Sequence, residues 1–299
     1  MRRLLILTGF GFMDPVPTRR PLLLACLSAL TILGWAYWGT FRDIGERWAT
    51  DPQYSHGFLV PVFAGYLLWQ RRGQLSGHDS RPRWWGVGLV LVGVGLRFAG
   101  HVFYQPWLDA GSLLVVLAGL AGAAGGRRAL VWAAPAILFL AFIIPLPYRV
   151  QTMLGGTLQR VATLASTYIL QTVGVSAVAE GNIIHLSAPP PLGVVEACNG
   201  LNMLVTFFAL TTGVAILAKR SLVERLLIVV SAVPIAVVAN VVRISLTGVL
   251  FEAERGDWAR MVFHDLAGWL MMPLALVMLL GELFVLKRSL LPIPNGEPG

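Results

Sequence analysis

Apolar runs of about 15 to 26 residues recur along this chain of 299 residues from position 21 to position 287, more than a water-soluble core can hide. A bilayer core about 30 Å thick is crossed by roughly 20 apolar residues in a helix, so the longer runs have the length of a span. Composition agrees. Hydrophobic residues make up 56% of the chain and charged ones 13%, and the mean hydropathy is +0.72, which leaves too little polar surface to cover a globule. The pattern predicts an all-α polytopic membrane protein of about eight transmembrane helices, over 21–40, 56–70, 84–101, 107–124, 129–147, 200–218, 224–250 and 264–287. Residues 1–299 then form a single membrane domain, with 1–20 as its N-terminal segment and 288–299 as its tail.

A net charge of +8 raises the question of nucleic acid, but the basic residues do not collect on one arm or face as nucleic-acid binding requires. They fall in alternate loops instead. The segments 2–20, 71–83, 127–128, 219–225 and 287–288 hold 15 of the 23 lysines and arginines. The intervening loops hold six, namely Arg42, Arg47, Arg149, Arg160, Arg255 and Arg260, while Arg97 and Arg243 lie inside helices. Lys and Arg are retained on the cytoplasmic side of a membrane, so both termini are expected there, in a multi-pass protein of the cytoplasmic (inner) membrane.

The stretch 148–199 leaves and returns to the outer face under this topology. Its first part is apolar but carries Gly155, Gly156, Gln159 and Arg160, which suits a helix in the interface or a re-entrant segment. A true span there would move Cys198 to the inside. Gly181–Leu186 and Leu192–Val195, separated by Pro189, Pro190 and Pro191, read as two short extended pieces on the outer face.

Cys198 lies in Glu196-Ala197-Cys198-Asn199-Gly200, where that extended segment meets the start of a long apolar helix. Free amides and the positive end of a helix dipole stabilise an anion, so the position favours a thiolate. Cys26 is the internal control. It has only apolar neighbours, sits near the inner end of the first helix and reads as a packing residue. A disulfide needs Cα atoms within about 7 Å, and the two cysteines are expected near opposite membrane boundaries, so neither is bridged to the other. Leu23-Leu24-Ala25-Cys26 looks like a lipoprotein box, but too few residues separate Arg20 from Ala25 for a signal-peptide core, and the first helix is expected to be retained.

Arg243 falls inside the helix 224–250, near its outer end. An intramembrane arginine costs about 2.5 to 3.5 kcal/mol even on lenient scales, so it marks a cavity or a functional site more often than a lipid-facing position. Asn240 shares its helix face and is placed to orient the guanidinium. His264, followed by Asp265, opens the next helix, and histidine is the side chain suited to proton transfer near neutral pH. Topology alone therefore brings a nucleophile, a cation and a base to one boundary. Thiol acyl transfer needs those three roles.

These residues resemble the exosortase/archaeosortase family of membrane-embedded cysteine transpeptidases. The likeness rests on Glu196–Gly200, on Asn240-Val241-Val242-Arg243-Ile244, on His264-Asp265, and on Tyr54-Ser55-His56-Gly57-Phe58-Leu59-Val60-Pro61, and so covers most of the chain. The resemblance implies that Cys198 is the nucleophile, Arg243 the oxyanion stabiliser and His264 the general acid/base, with Glu196, Asn199, Asn240, His56 and Asp265 in supporting or substrate-binding roles. It implies substrates that are exported proteins with a C-terminal transmembrane sorting signal, often of the PEP-CTERM type, cleaved at the external (periplasmic) face through a thioester. The expected partners are those substrates and membrane lipid, with no nucleic acid, no cofactor and no metal.

Two rivals come from other classes. A non-enzymatic transporter or channel component would line a permeation path with Arg243 and the outer histidines. It predicts further intramembrane polar residues, for which Arg97 is the main candidate, and broken helices in repeat-related positions, and no internal repeat is visible. An exopolysaccharide-assembly component would need clustered outer carboxylates, and these are scattered. The basic-residue split makes a direct prediction: reporter fusions after Arg128 and Lys219 read cytoplasmic, and fusions near Gly181 and Gly256 read external. A cytoplasmic signal near Gly181 sinks both the topology and the site built on it.

Overall fold

Gly86, Gly93 and Gly100 recur at every seventh residue of helix α4 (Trp84–Val102), and each lies where a side chain would strike the next helix, α5 (Pro106–Phe139). A Cβ on Gly93 would stand 3.0 Å from the Val116 amide nitrogen, and one on Gly100 2.7 Å from that of Asp109. From the other side, a Cβ on Gly119 would stand 2.7 Å from the Val90 amide nitrogen. The pairs advance in opposite directions, so the two helices form a tight antiparallel hairpin whose backbones touch. Small residues are the usual means of such an approach in membranes, where the hydrophobic effect gives helices no reason to associate.

The computed structural model describes residues 19–50, 52–75, 83–187, 192–193, 200–218, 220–253 and 267–289. It is mostly helical, and packing divides it into two units, Met1–Asp43 and Ile44–Gly299. The first unit contains α1 (Arg19–Ala36), which includes Cys26, and the start of α2 (Trp38–Thr50). The second contains the rest of α2, a 3-10 turn at Pro52–Phe58, α3 (Leu59–Gln70) and all later elements.

Three helical stretches among the described residues are long and apolar enough to cross a bilayer: Trp84–Val102, Pro106–Ile143 and Leu222–Glu252. Pro106–Ile143 covers two expected spans, because α5 breaks at Gly125 and at Gly126, whose φ of +63° only glycine adopts without strain. The expected span at 56–70 begins later, since Pro52–Phe58 is a 3-10 turn and α3 has 12 residues. Met203–Leu217 and Leu27–Ala36 are shorter apolar helices. The start of the expected helix at 264 lies outside the described residues, and helix α10 is described over Ala267–Ser289.

The segment expected to be re-entrant or an interfacial helix is one continuous helix, α6 (Tyr148–Thr172), about 37 Å long at 1.5 Å per residue, and it is not among the stretches long and apolar enough to cross a bilayer. Gly155, Gly156, Gln159 and Arg160 do not interrupt it. Its buried residues include Gly155, Ala162, Thr163, Ser166, Thr167 and Leu170, a stripe of small and hydroxylated side chains at helical spacing. That stripe packs on α9 (Ala232–Ala253). Ser166 Oγ donates to the Val241 carbonyl at 3.3 Å, and the Leu170 side chain fills the space over Gly248. The pairing advances the same way along both helices, so α6 and α9 run in one direction.

After α6 the chain turns into three short antiparallel strands, β1 (Ala177–Glu180), β2 (Ile183–Leu186) and β3 (Leu192–Gly193), in the order β1-β2-β3. Ile184 pairs with both Ala179 and Leu192. The first strand begins earlier than the extended pieces expected from sequence; the prolines between β2 and β3 lie outside the described residues. Gly181, at a φ of +62°, makes the β1–β2 turn, and Gln171 Nε2 ties α6 to the Ala177 carbonyl at 2.8 Å.

Helix α7 (Gly200–Leu217) then runs back, and a four-residue connection returns the chain through α8 (Leu222–Val230) into α9. A capping box opens α8: the Ser221 hydroxyl accepts from the Glu224 amide while the Glu224 carboxylate accepts from the Ser221 amide at 2.8 Å. Pro234 separates α8 from α9, because it has no N–H to give the Val230 carbonyl. Leu204 and Phe207 of α7, Ala232 and Ala236 of α9, and Ala275 and Leu279 of α10 share one core cluster.

The hairpin gives a differential prediction. Gly93→Ala should lower the stability of the purified protein by about 1–3 kcal/mol through overpacking. Gly95→Ala, at a helical position with nothing within 4 Å, should be neutral or stabilising by up to about 1 kcal/mol. Thermal unfolding of both in one detergent checks it, and equal effects would show that the α4–α5 contact does not limit stability.

Candidate functional site

Arg243 rises from a closely packed part of α9. Val241 and Ile244 on either side of it are buried in a cluster with Leu170 of α6, Ala177 of β1, Ile184 of β2 and Leu192 of β3. The neighbouring turns of α9 hold Ala239 and Asn240, at 0% and 2% exposure. Its own carbonyl accepts a hydrogen bond from Thr247 Oγ1 at 2.8 Å, so the backbone there is doubly fixed.

The side chain is half-buried, and its Nε is buried with no hydrogen-bond partner among the described residues. The Asn240 Oδ1, three residues back on the same face, is likewise buried without a partner among them. Among the described residues no hydrogen bond joins the two side chains. Each unmet group costs about 1–3 kcal/mol relative to a satisfied one. A guanidinium held so is a donor awaiting an acceptor, which is the electrostatic role needed at a developing oxyanion.

Cys198, Glu196 and Asn199 lie outside the described residues, as do His264 and Asp265. The described flanks of the first group are informative. Leu192 in β3, six residues before Cys198, packs in the cluster that contains Val241 and Ile244. Leu201, three residues after it, is 1% exposed in the cluster that contains Ile235 and Ala236. Both ends of the segment that bears Cys198 are therefore anchored on α9, on the turns around and just before Arg243.

His56 sits in the 3-10 turn before α3, and its Nδ1 lies 3.2 Å from Thr206 Oγ1 on the second turn of α7. The Trp48 indole closes over Gly57, leaving no room for a Cβ there, and Tyr54 is buried. His56 and Thr206 form the polar end of a cavity of about 490 Å3 whose walls are apolar, chiefly Val60, Phe63, Phe139 and Gly213. A Cβ on Gly213 would press on the Phe63 ring at 3.2 Å. Because His56 meets Thr206 and Phe63 meets Gly213, α3 and α7 run in the same direction, and their basic C-terminal ends, at Arg71, Arg72 and Arg220, lie at the same end of the bundle.

Sequence reasoning missed Thr206, and nothing local could have found it, since its partner is 150 residues away. It also missed Asp109, which stands 3.8 Å from Arg97 Nε and 3.7 Å from His101 Nε2 in the α4–α5 hairpin. Arg97 thus has a structural account as half of a charge pair.

Apolar helices of spanning length, with a charged side chain held among them, define a helical membrane protein. The chain belongs to the transmembrane exosortase family, whose model matches residues 48–281, from α2 to the middle of α10. No curated protein and no solved structure matched the chain in the corresponding comparisons.

Proposed function

We propose that this exosortase-family protein is a cysteine peptidase or transpeptidase that cleaves C-terminal sorting signals of exported proteins at the external face of the cytoplasmic membrane. The observation that carries the reading is Arg243: a buried guanidinium donor without a partner among the described residues, on the helix that anchors both flanks of the Cys198 segment. In this reading the Cys198 thiolate attacks the carbonyl of the scissile peptide. Arg243 donates to the tetrahedral oxyanion, and His264, as imidazolium, gives its proton to the leaving amine as the C–N bond breaks. The resulting thioester is resolved by a nucleophile from outside the enzyme, with neutral His264 taking up its proton.

Glu196, Asn199 and Asp265 are proposed to hold the cysteine and histidine loops in place, and Asn240 to steady the guanidinium once an oxyanion is present. The cavity between α3, α5 and α7 supports a substrate-binding role for His56, because it offers an apolar surface with one hydrogen-bonding end. Orientation comes from the local path of the chain. Helix α7 starts, and α9 ends, at the pole opposite Arg220 and Arg225; with that basic pole cytoplasmic, the segment before α7 is external, which supports the proposed outward-facing Cys198. The positive-inside split supports the proposal that both termini are inside and that residues 1–299 act as one membrane domain.

The test compares conversion of a tagged substrate in membranes at equal enzyme abundance. Cys198→Ala should abolish processing and Cys26→Ser should leave it intact. Arg243→Lys should be nearly as damaging as Arg243→Ala, at a loss of about 10²- to 10³-fold, the range for removal of one oxyanion donor. A lysine keeps the charge but not the rigid planar fork, and it loses its proton readily in an apolar site. Full processing by Cys198→Ala removes the thiol mechanism, and an Arg243→Lys enzyme within a few-fold of the parent removes the oxyanion role alone.

A further inference from the structure

A second polar cavity lies at the other pole of the molecule, where the proposed chemistry has no use for it. At the bend of α5, the side chains of Gln74, Arg83, Arg127, Arg128, Val131 and Trp132 surround about 740 Å3. Three of the lining side chains are cations and, among the described residues, none is a carboxylate. Arg127 is exposed and makes no ion pair among the described residues. Gly126 completes the arrangement: at its φ of +63°, with no Cβ, it leaves room for the Arg83 guanidinium to lie on the α5 backbone. The walls thus present donors and positive charge, and the complement is a compact oxyanion.

The surroundings say which kind. Trp84, next to Arg83, is 83% exposed, and Trp69 is 60% exposed with the Arg72 guanidinium 4.5 Å from its ring centre. Exposed tryptophans at helix ends mark the level of lipid headgroups. Val131, in the cavity wall one helical turn after Arg127, and Val87, one turn after Arg83, are both exposed apolar side chains. Basic pockets between membrane helices on the cytoplasmic side are suited to anionic headgroups. We infer that this cavity is a binding site for the phosphate headgroup of an anionic phospholipid, seated against Arg83, Arg127 and Arg128 with its acyl chains along α4 and α5.

The full chain, purified in detergent and stripped of lipid, is titrated with short-chain phosphatidylglycerol, with phosphatidylcholine of the same chains and with inorganic phosphate, and adducts are counted by native mass spectrometry. Phosphatidylglycerol should add one saturable copy, more tightly than phosphatidylcholine. Arg127→Gln with Arg128→Gln should weaken it roughly thirtyfold, about fivefold for each cation near a headgroup. Arg288→Gln, at another basic position, should not, and Cys198→Ala should bind like the parent, which separates this result from the peptidase reading. If the double variant does not remain monodisperse, Arg127→Gln alone carries the test, with an expected loss of about fivefold for one cation near a headgroup. Unchanged binding in the variant that is measured, or an equal loss in Arg288→Gln, overturns the site. Displacement of the lipid by inorganic phosphate at equal concentration overturns the lipid as its occupant.

Discussion

The close packing of α9 is the constraint on which the rest of the structure depends. Ala232, Ala236 and Ala239 are at most 1% exposed, and Gly248 takes the Leu170 side chain directly against its backbone. Lipid is as apolar as leucine, so helices gain nothing by hiding ordinary apolar side chains from it; they gain by close fit and by hydrogen bonds that lipid cannot supply. Small residues on α9 provide the fit, and Ser166, with its bond to the Val241 carbonyl, provides a polar tie at the contact. Once α6, α7 and α10 are packed on this helix, the places where the strands end and where α7 begins are fixed with it.

Within this close-packed helix Arg243 is a local violation. A helix otherwise filled with alanine, valine and isoleucine carries a guanidinium whose Nε is buried and a carboxamide whose oxygen is buried, neither with a partner among the described residues. Such inconsistencies concentrate at functional sites, where the rest of the fold offsets their cost. Arg97 shows the contrast. It has Asp109 at 3.8 Å in the same hairpin, and so reads as a structural pair. Two arginines in apolar helices look alike in sequence and differ in what faces them.

The bundle also sorts its charges along its length. Arg83, Arg127 and Arg128 crowd one cavity with Gln74, close to where α3 ends at Arg71 and Arg72, and Arg220 lies at the same pole as that end. Arg243 stands on the half of α9 that leads away from this pole. The same distribution that orients a chain in a membrane therefore also concentrates donors at one pole, with no carboxylate among the described lining residues.

Hydrophobic length and periodicity determined most of the helices: 84–102 and 222–252 are read directly from the sequence, and the break between 107–124 and 129–147 is marked by Gly125 and Gly126. Two elements escape such a reading for one reason. In α2, Trp38, Phe41 and Ile44 repeat at helical spacing opposite Arg42, Asp43 and Glu46, an amphipathic signal easily passed over because the segment is too polar to span. In α6, glycine, glutamine and threonine look like interruptions, whereas at a helix–helix contact in a membrane they are the packing surface. Residue chemistry likewise singled out Arg243 and Asn240, because a charge or amide in an apolar helix is conspicuous by itself, whereas His56 entered through the family resemblance. Only the tertiary structure decided their partners: Thr206 beside His56, Asp109 beside Arg97, and β3 and α7 both anchored on α9. Those contacts join residues far apart in the chain, and which helix faces meet is set by the shapes of the packed surfaces, which hydropathy does not encode.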